Sequence, residues 1–237
     1  MFSLVDAFTD KPFLGNPAGV CILKNMSDIE GKMQQIATYF NWSEISYVSK
    51  ISDNKYGLRW FSPKDEAPLC GHATLAAAHV VFSNNLVKGN NIEFIYNDGS
   101  LYVEKDKDNF ITMSFPLKPV TKCKNIPFDV ESLIGVKEYE DILKDDTMYI
   151  IVLKNHETVK NLIPRVDEIK KINTRAVVVT SRGFGDYDFC SRYFAPRVGL
   201  YEDPVCGSAH CRLAYYWGNL LGKREMIAFQ SSSRTGV

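Results

Sequence analysis

Two cysteines occupy matching places in this chain. Residues 66–71 read Glu-Ala-Pro-Leu-Cys-Gly and residues 202–207 read Glu-Asp-Pro-Val-Cys-Gly, and an Ala follows each Cys-Gly two residues on, at Ala73 and Ala209. An apolar run at helical spacing continues from each. The start of a helix carries N–H groups without partners and a partial positive charge. Small residues there let a carboxylate or phosphate reach the backbone, which makes Gly71–Ala73 and Gly207–Ala209 candidate anion seats. A thiol at the same end ionises more easily. If two halves face each other about a pseudo-twofold axis, Cys70 and Cys206 would flank one carbon and could abstract and return its proton. Read structurally, the same two cysteines are small buried residues, a common place for this side chain.

Other side chains could join such chemistry. Glu44, in Asn41-Trp42-Ser43-Glu44, follows a helix and precedes a strand. There it is a general base if burial raises its pKa, or else an exposed loop acid. His72 lies in the first turn after Cys70 and can donate a hydrogen bond or move a proton. Its counterpart is Ser208. Each can equally be a helix-end residue facing water. His79 falls within the apolar helical run and reads as a core residue, and His156 and His210 show no partner. No His, Asp, Glu or Cys spacing resembles a metal site. Gly183-Phe184-Gly185 lacks the third glycine of a dinucleotide loop, and there is no P-loop. No metal and no nucleotide cofactor is expected.

The elements that would position these groups follow from periodicity. Residues 2–8 and 20–23 read as strands around the turn-rich loop Gly15-Asn16-Pro17-Ala18-Gly19. Ser27 and Glu30 form a capping box ahead of a helix whose face is Ile29, Met33, Ile36 and Phe40 and which ends at Asn41. Strands are expected at 45–51 and 56–61, then a helix over 71–82 that is apolar all round and therefore surrounded by sheet. Asn97-Asp98-Gly99 marks a hairpin, followed by a strand at 111–115. The polar, proline-bearing connection from Pro116 to Pro127 sets a boundary between residues 1–115 and 116–237. Beyond it come helices near 130–134 and 166–172, strands at 149–153 and 176–180, and a final helix with Leu213, Tyr216, Trp217 and Leu220 on its apolar face. Upstream of the cysteine motifs, Trp60-Phe61-Ser62-Pro63 parallels Tyr193-Phe194-Ala195-Pro196. Downstream, the stretch from Phe94 parallels that from Phe229. The fold class expected is α+β, built of two similar halves with a cleft between them. The second half looks short at its C-terminus, and an incomplete sheet leaves an edge open to pairing, as in a homodimer.

The chain has 237 residues, 45% of them apolar, with no net charge and no basic block. That argues against a nucleic-acid-binding role. No run approaches the roughly 20 apolar residues of a membrane span, and the first residues lack a signal-peptide pattern. The expectation is a cytoplasmic protein with no membrane or nucleic-acid partner. Its six cysteines are expected to be reduced.

Taken together, Val5-Asp6-Ala7-Phe8-Thr9, Gly15-Asn16-Pro17-Ala18-Gly19-Val20, Trp42-Ser43-Glu44, Cys70-Gly71-His72-Ala73-Thr74 and Glu202-Asp203-Pro204-Val205-Cys206-Gly207-Ser208-Ala209 resemble the phenazine-biosynthesis PhzF-like family. The resemblance implies the diaminopimelate-epimerase fold, in which each half is a sheet curled around a central helix. It also implies a cofactor-free isomerase acting on a small, often amino-substituted carboxylate. By that resemblance Glu44 is the catalytic glutamate, His72, Asp203 and Ser208 support it, and Asn16 is on the substrate side. The related epimerases use one cysteine in each half, at the places of Cys70 and Cys206, whereas the phenazine enzyme lacks both thiols. This sequence carries both sets. The reading is an isomerase or epimerase in which Glu44 carries the proton and the thiols are secondary. The rival is a metabolite-binding protein that keeps the cleft without turnover.

Overall fold

The computed structural model describes residues 1–237. The chain divides into two compact units. One comprises Met1–Ala7 with Pro17–Phe115, the other Phe8–Asn16 with Pro116–Val237.

In the first unit the strands are β1 (Phe2–Ala7), β2 (Asn16–Leu23), β3 (Ile45–Lys50), β4 (Lys55–Phe61), β5 (Glu66–Ala67), β6 (Asn91–Tyr96), β7 (Gly99–Lys105) and β8 (Ile111–Met113). The helices are α1 (Met33–Phe40) and α2 (Gly71–Ser83). The sheet runs β1-β2-β3-β4-β6-β7-β8, with β5 added to β4. The pleat decides what each face buries. Val48 of β3 joins Val20, Leu58, Trp60, Ile92, Phe94 and Leu101 around the alanine-rich face of α2. Its neighbours Ile45 and Tyr47 join Met33 and Ala37 of α1 on the other side. Residues of β2, β3, β4, β6 and β7 all reach α2, so the sheet curls around that helix. Nine of its thirteen residues are buried, and the small Ala side chains let strands approach from several directions. Asn97 and Asp98 alone connect β6 to β7, with Tyr96 opposite Gly99.

The second unit has strands β9 (Thr121–Lys122), β10 (Asp141–Lys144), β11 (Met148–Val152), β12 (Ala176–Arg182), β13 (Phe189–Ala195), β14 (Leu200–Asp203) and β15 (Ala228–Gln230). Its helices are α3 (Val130–Ile134), α4 (His156–Asn161), α5 (Val166–Lys171) and α6 (Gly207–Leu221). The sheet order is β14-β13-β12-β11-β10-β9, with β15 on β13. Ala209, Leu213 and Trp217 of α6 pack on Ile150, Val152, Val178, Phe189 and Tyr193. The opposite face, with Ile151, Val177, Val179 and Phe194, is covered by the short helices α3, α4 and α5.

The repeat read from the cysteine motifs is a repeat of topology. In the first unit β2 pairs β3 in parallel, β3 pairs β4 antiparallel, β4 pairs β5 antiparallel and β4 pairs β6 in parallel. In the second, β11 with β12, β12 with β13, β13 with β14 and β13 with β15 follow the same sequence of directions. α2 and α6 hold the same place, after β5 and β14. The mixed α+β class and the curled sheets are as expected.

Several local expectations are corrected. There is no Ser27/Glu30 capping box. The segment makes two 3₁₀ turns, at 26–28 and 30–32, before α1. Glu30 is drawn instead to Arg59, 2.7 Å away. α1 does end at Asn41, which takes the left-handed conformation (φ 52°). His79 is exposed on α2 and lies 3.4 Å from Ser83 Oγ. Leu220 is also exposed, so the buried face of α6 is Ala209, Leu213 and Trp217. The 116–127 connection is tied to the second unit, since Lys118 N–H donates to Cys211 O and β9 pairs with β10. Residues 8–16, placed with the first half on sequence, group with the second unit. Gly15 N–H donates to Thr235 O at 2.7 Å, Val237 N–H to Phe8 O at 3.1 Å, and Arg234 to Leu14 O and Gly15 O. Gly236 permits this approach, since a Cβ there would lie 2.5 Å from Val205 Cγ2 and 3.0 Å from Phe8 O. No helix is long and apolar enough to cross a membrane.

Candidate active site

Each unit carries its own group of reactive side chains at the start of its central helix. In the first unit, the left-handed turn at Asn41 ends α1 and leads through Trp42 and Ser43 to Glu44, immediately before β3. Glu44 O accepts from Gly19 N–H at 3.0 Å, which extends the β2–β3 pairing to the glutamate. Gly19 is required for this, because a Cβ there would be 2.9 Å from the Trp42 ring. Ser43 Oγ donates to Pro17 O at 2.9 Å. The backbone of Glu44 is thus set by the sheet, while its side chain is about a quarter exposed, 23%.

His72, in the first turn of α2, links two neighbours. Nε2 lies 3.2 Å from Glu44 Oε2 and 3.4 Å from Ser43 Oγ, and Nδ1 lies 3.5 Å from Cys70 Sγ. Hydrogen bonds from Ser46 Oγ to Ala73 O and from Thr74 Oγ1 to Cys70 O fix the turn beneath. Burial is the largest influence on His72 and opposes a charge. The Cys70 sulfur and the Glu44 carboxylate outweigh it and hold His72 well above the ordinary imidazole range. Cys70 is pushed up, by burial first and then by Glu44, against the pull of His72. A thiol kept neutral has no charge with which to steady an imidazolium, so we assign that role to Glu44. The arrangement is a carboxylate–imidazolium pair backed by a thiol.

In the second unit Cys206 begins α6 as Cys70 begins α2. Side chains hold the turn before it. Gln230 accepts from Cys206 N–H at 2.9 Å and donates to Asp203 O at 2.6 Å. Ser232 Oγ donates to Pro204 O. Asn16 Nδ2 donates to Asp203 Oδ1 at 2.7 Å and to Val205 O at 3.0 Å. Asn16 and Gln230 are each only 1% exposed. Cys206 Sγ lies 3.3 Å from Ser208 Oγ. Burial raises the Cys206 thiol well above its ordinary range, the nearby Asp203 charge adds to this, and the Ser208 hydroxyl opposes it. His210, which looked partnerless in sequence, lies with Nδ1 2.7 Å from Cys206 O, and burial lowers its pKa. It is therefore a neutral ring donating to that carbonyl. His156 also has neighbours, Glu157 and the Phe184 ring.

Intrahelical bonding starts at Thr74 N–H in α2 and His210 N–H in α6. The amides of Gly71, His72 and Ala73, and of Gly207, Ser208 and Ala209, precede it. Packing does not demand either glycine. A Cβ at Gly71 would stand 3.5 Å from Phe115, and one at Gly207 3.8 Å from Phe8, both ordinary contacts. Ala73 and Ala209 are buried, so only their backbones could serve a ligand, while Ser208 is exposed. The structure therefore gathers Glu44, Cys70 and His72 in one unit and Asn16, Asp203, Cys206 and Ser208 in the other. Sequence reading missed Gln230, Ser232 and His210, whose partners are backbone atoms that no motif spacing displays.

The phenazine biosynthesis-like family model, PhzC-PhzF, matches residues 5–237. The chain belongs to this family. It is 41% identical, over 232 residues, to an uncharacterized isomerase of Pseudomonas aeruginosa, spanning 98% of this chain and 87% of that protein. A PhzF-family phenazine biosynthesis protein of Enterococcus faecalis superposes with a TM-score of 0.92 at 36% identity, over 99% of this chain and 88% of that one. A predicted epimerase of P. aeruginosa superposes with a TM-score of 0.71 over 99% and 89%. At 16% identity that likeness concerns the fold alone.

Proposed function

We propose that this protein is an isomerase that moves a proton within a small carboxylate, with Glu44 as the carrier. The observation behind this reading is the 3.2 Å Glu44–His72 pair beside the Cys70 thiol, which burial pushes toward the neutral form as it does Cys206 in the other unit. A neutral thiol is a poor base, whereas a carboxylate on a protonated imidazole can take a proton and still be held in place. In the step proposed, Glu44 removes a proton from the carbon next to an activating group. The C–H electron pair moves into that group, and the proton is returned to a second carbon, shifting a double bond. His72 keeps Glu44 oriented throughout. The amides at the start of α2 or of α6 are the seats proposed for the substrate's carboxylate. Membership in a family whose relatives include a named isomerase supports the same class. The step uses no metal or nucleotide.

The test is proton exchange in D₂O with a panel of small unsaturated and amino-substituted carboxylates, followed by NMR. Wild type should place deuterium at one carbon of an accepted substrate. Glu44→Gln should slow this by at least about 100-fold, the lower range for a lost acid–base group. Cys70→Ser and Cys206→Ser should each cost far less. Normal exchange in Glu44→Gln with a dead cysteine variant would establish the thiol pair as the carrier. Ligand binding without exchange in wild type would leave a metabolite-binding protein.

A further inference from the structure

The Cys70–His72 geometry also fits a metal. We infer that Cys70 Sγ and His72 Nδ1 form a binding site for zinc, oriented by Glu44, and that zinc there silences the proton carrier. The two atoms stand 3.5 Å apart. Ligands at about 2.3 Å (sulfur) and about 2.0–2.1 Å (nitrogen) from a tetrahedral zinc are separated by roughly that distance. The other ring nitrogen faces Glu44 Oε2 at 3.2 Å. A carboxylate on the far nitrogen is the usual partner of a metal-bound imidazole, fixing its tautomer and ring plane. Sulfur, nitrogen and carboxylate oxygen all lie within 4.8 Å of one another, so the three groups form one cluster.

The second unit offers a built-in contrast. Cys206 has Ser208 Oγ beside its sulfur, and His210 directs Nδ1 to the Cys206 carbonyl. That donor set is poor for zinc. On binding at the first site, Cys70 gives up its Sγ proton and His72 its Nδ1 proton, both to water, as the Zn–S and Zn–N bonds form. An imidazole whose Nδ1 holds zinc can no longer carry the second ring proton, so Glu44 loses the imidazolium that holds it as the proton carrier. The binding stands on the geometry alone, whereas the loss of turnover rests on the isomerase reading.

The experiment reads binding without turnover. Chelator-treated protein, kept reduced, is titrated anaerobically with Co²⁺ and then with Zn²⁺. One equivalent of Co²⁺ should give a near-ultraviolet sulfur-to-cobalt charge-transfer band with tetrahedral visible bands, and Zn²⁺ should abolish both. Cys70→Ser and Cys70→Ala should lose the charge-transfer band while keeping wild-type circular dichroism. Cys206→Ser should keep it. Glu44→Gln should bind about 10–100-fold more weakly, the usual cost of losing an orienting carboxylate. The absence of a stoichiometric band in wild type, or its survival in both folded Cys70 variants, would overturn the site. A bound enzyme that exchanges protons at the unliganded rate would overturn only the silencing.

Discussion

Protonation at one histidine sets the character of the first group. His72 sits well above its ordinary 6.5 in the folded protein. A raised folded value means the protonated ring stabilises the fold. That contribution is complete below about pH 6.5 and is lost as the pH climbs through the higher folded value. Denaturation midpoints measured from pH 6 upward should therefore fall more steeply for wild type than for His72→Gln. Glu44→Gln, which removes the partner carboxylate, should lower the His72 titration midpoint seen by NMR. An unchanged midpoint would mean that Glu44 does not hold the proton in place. The types of these residues could be read from the chain, and so could the nearness of Cys70 to His72, two positions apart. The pairing of His72 with Glu44 could not, because it spans 28 positions and depends on how β3 and α2 pack.

At the scale of elements, the turn before α6 is held mainly by side chains. Gln230 closes it by taking the buried Cys206 N–H and giving to the half-buried Asp203 O. Gln230→Ala leaves those backbone groups unpaired. The expected cost is about 1–3 kcal/mol, the range for an orphaned buried donor or acceptor. Chemical denaturation of the variant measures it, and a loss below the error of the fit would show that water replaces the amide. Trp217, fully buried with Nε1 donating to Thr180 Oγ1, anchors the other end of the same helix. Trp217→Ala should cost roughly 3–5 kcal/mol. The long, strongly periodic elements were legible, with α2 found to within a residue of its end. The capping box forms two positions earlier than expected, between Asn25 and Asp28, with Asn25 N–H donating to Asp28 Oδ2 at 3.2 Å. The strands β5, β9, β10, β14 and β15 escaped because two to four residues carry too little pattern, and β13 escaped because all seven of its residues are buried and show no alternation.

Over the whole molecule, the repeated Pro-x-Cys-Gly motif disclosed a repeated topology, since each copy begins the helix around which its sheet curls. The grouping of residues 8–16 was not legible. It rests on contacts with residues 203–205 and 234–237, far along the chain and made largely through backbone atoms. Arg234 donates to Gly15 O and Leu14 O across more than two hundred positions. Arg234→Ala should accelerate amide hydrogen exchange at Gly15 and its neighbours while leaving β3 and β12 protected. Equal exchange in the two proteins would show that the backbone bonds alone retain the segment.

The matching helix starts also make the protein its own reference compound. Cys70 and Cys206 share a backbone setting and the same 7% exposure, yet one sulfur borders an imidazole and the other a hydroxyl and a carboxylate. Competitive alkylation read by mass spectrometry within a single sample cancels protein concentration, reagent decay and global unfolding. The ratio of the two labelling rates is then a direct meter of what His72 does to a thiol. It should favour Cys70 in wild type and move toward parity in His72→Gln.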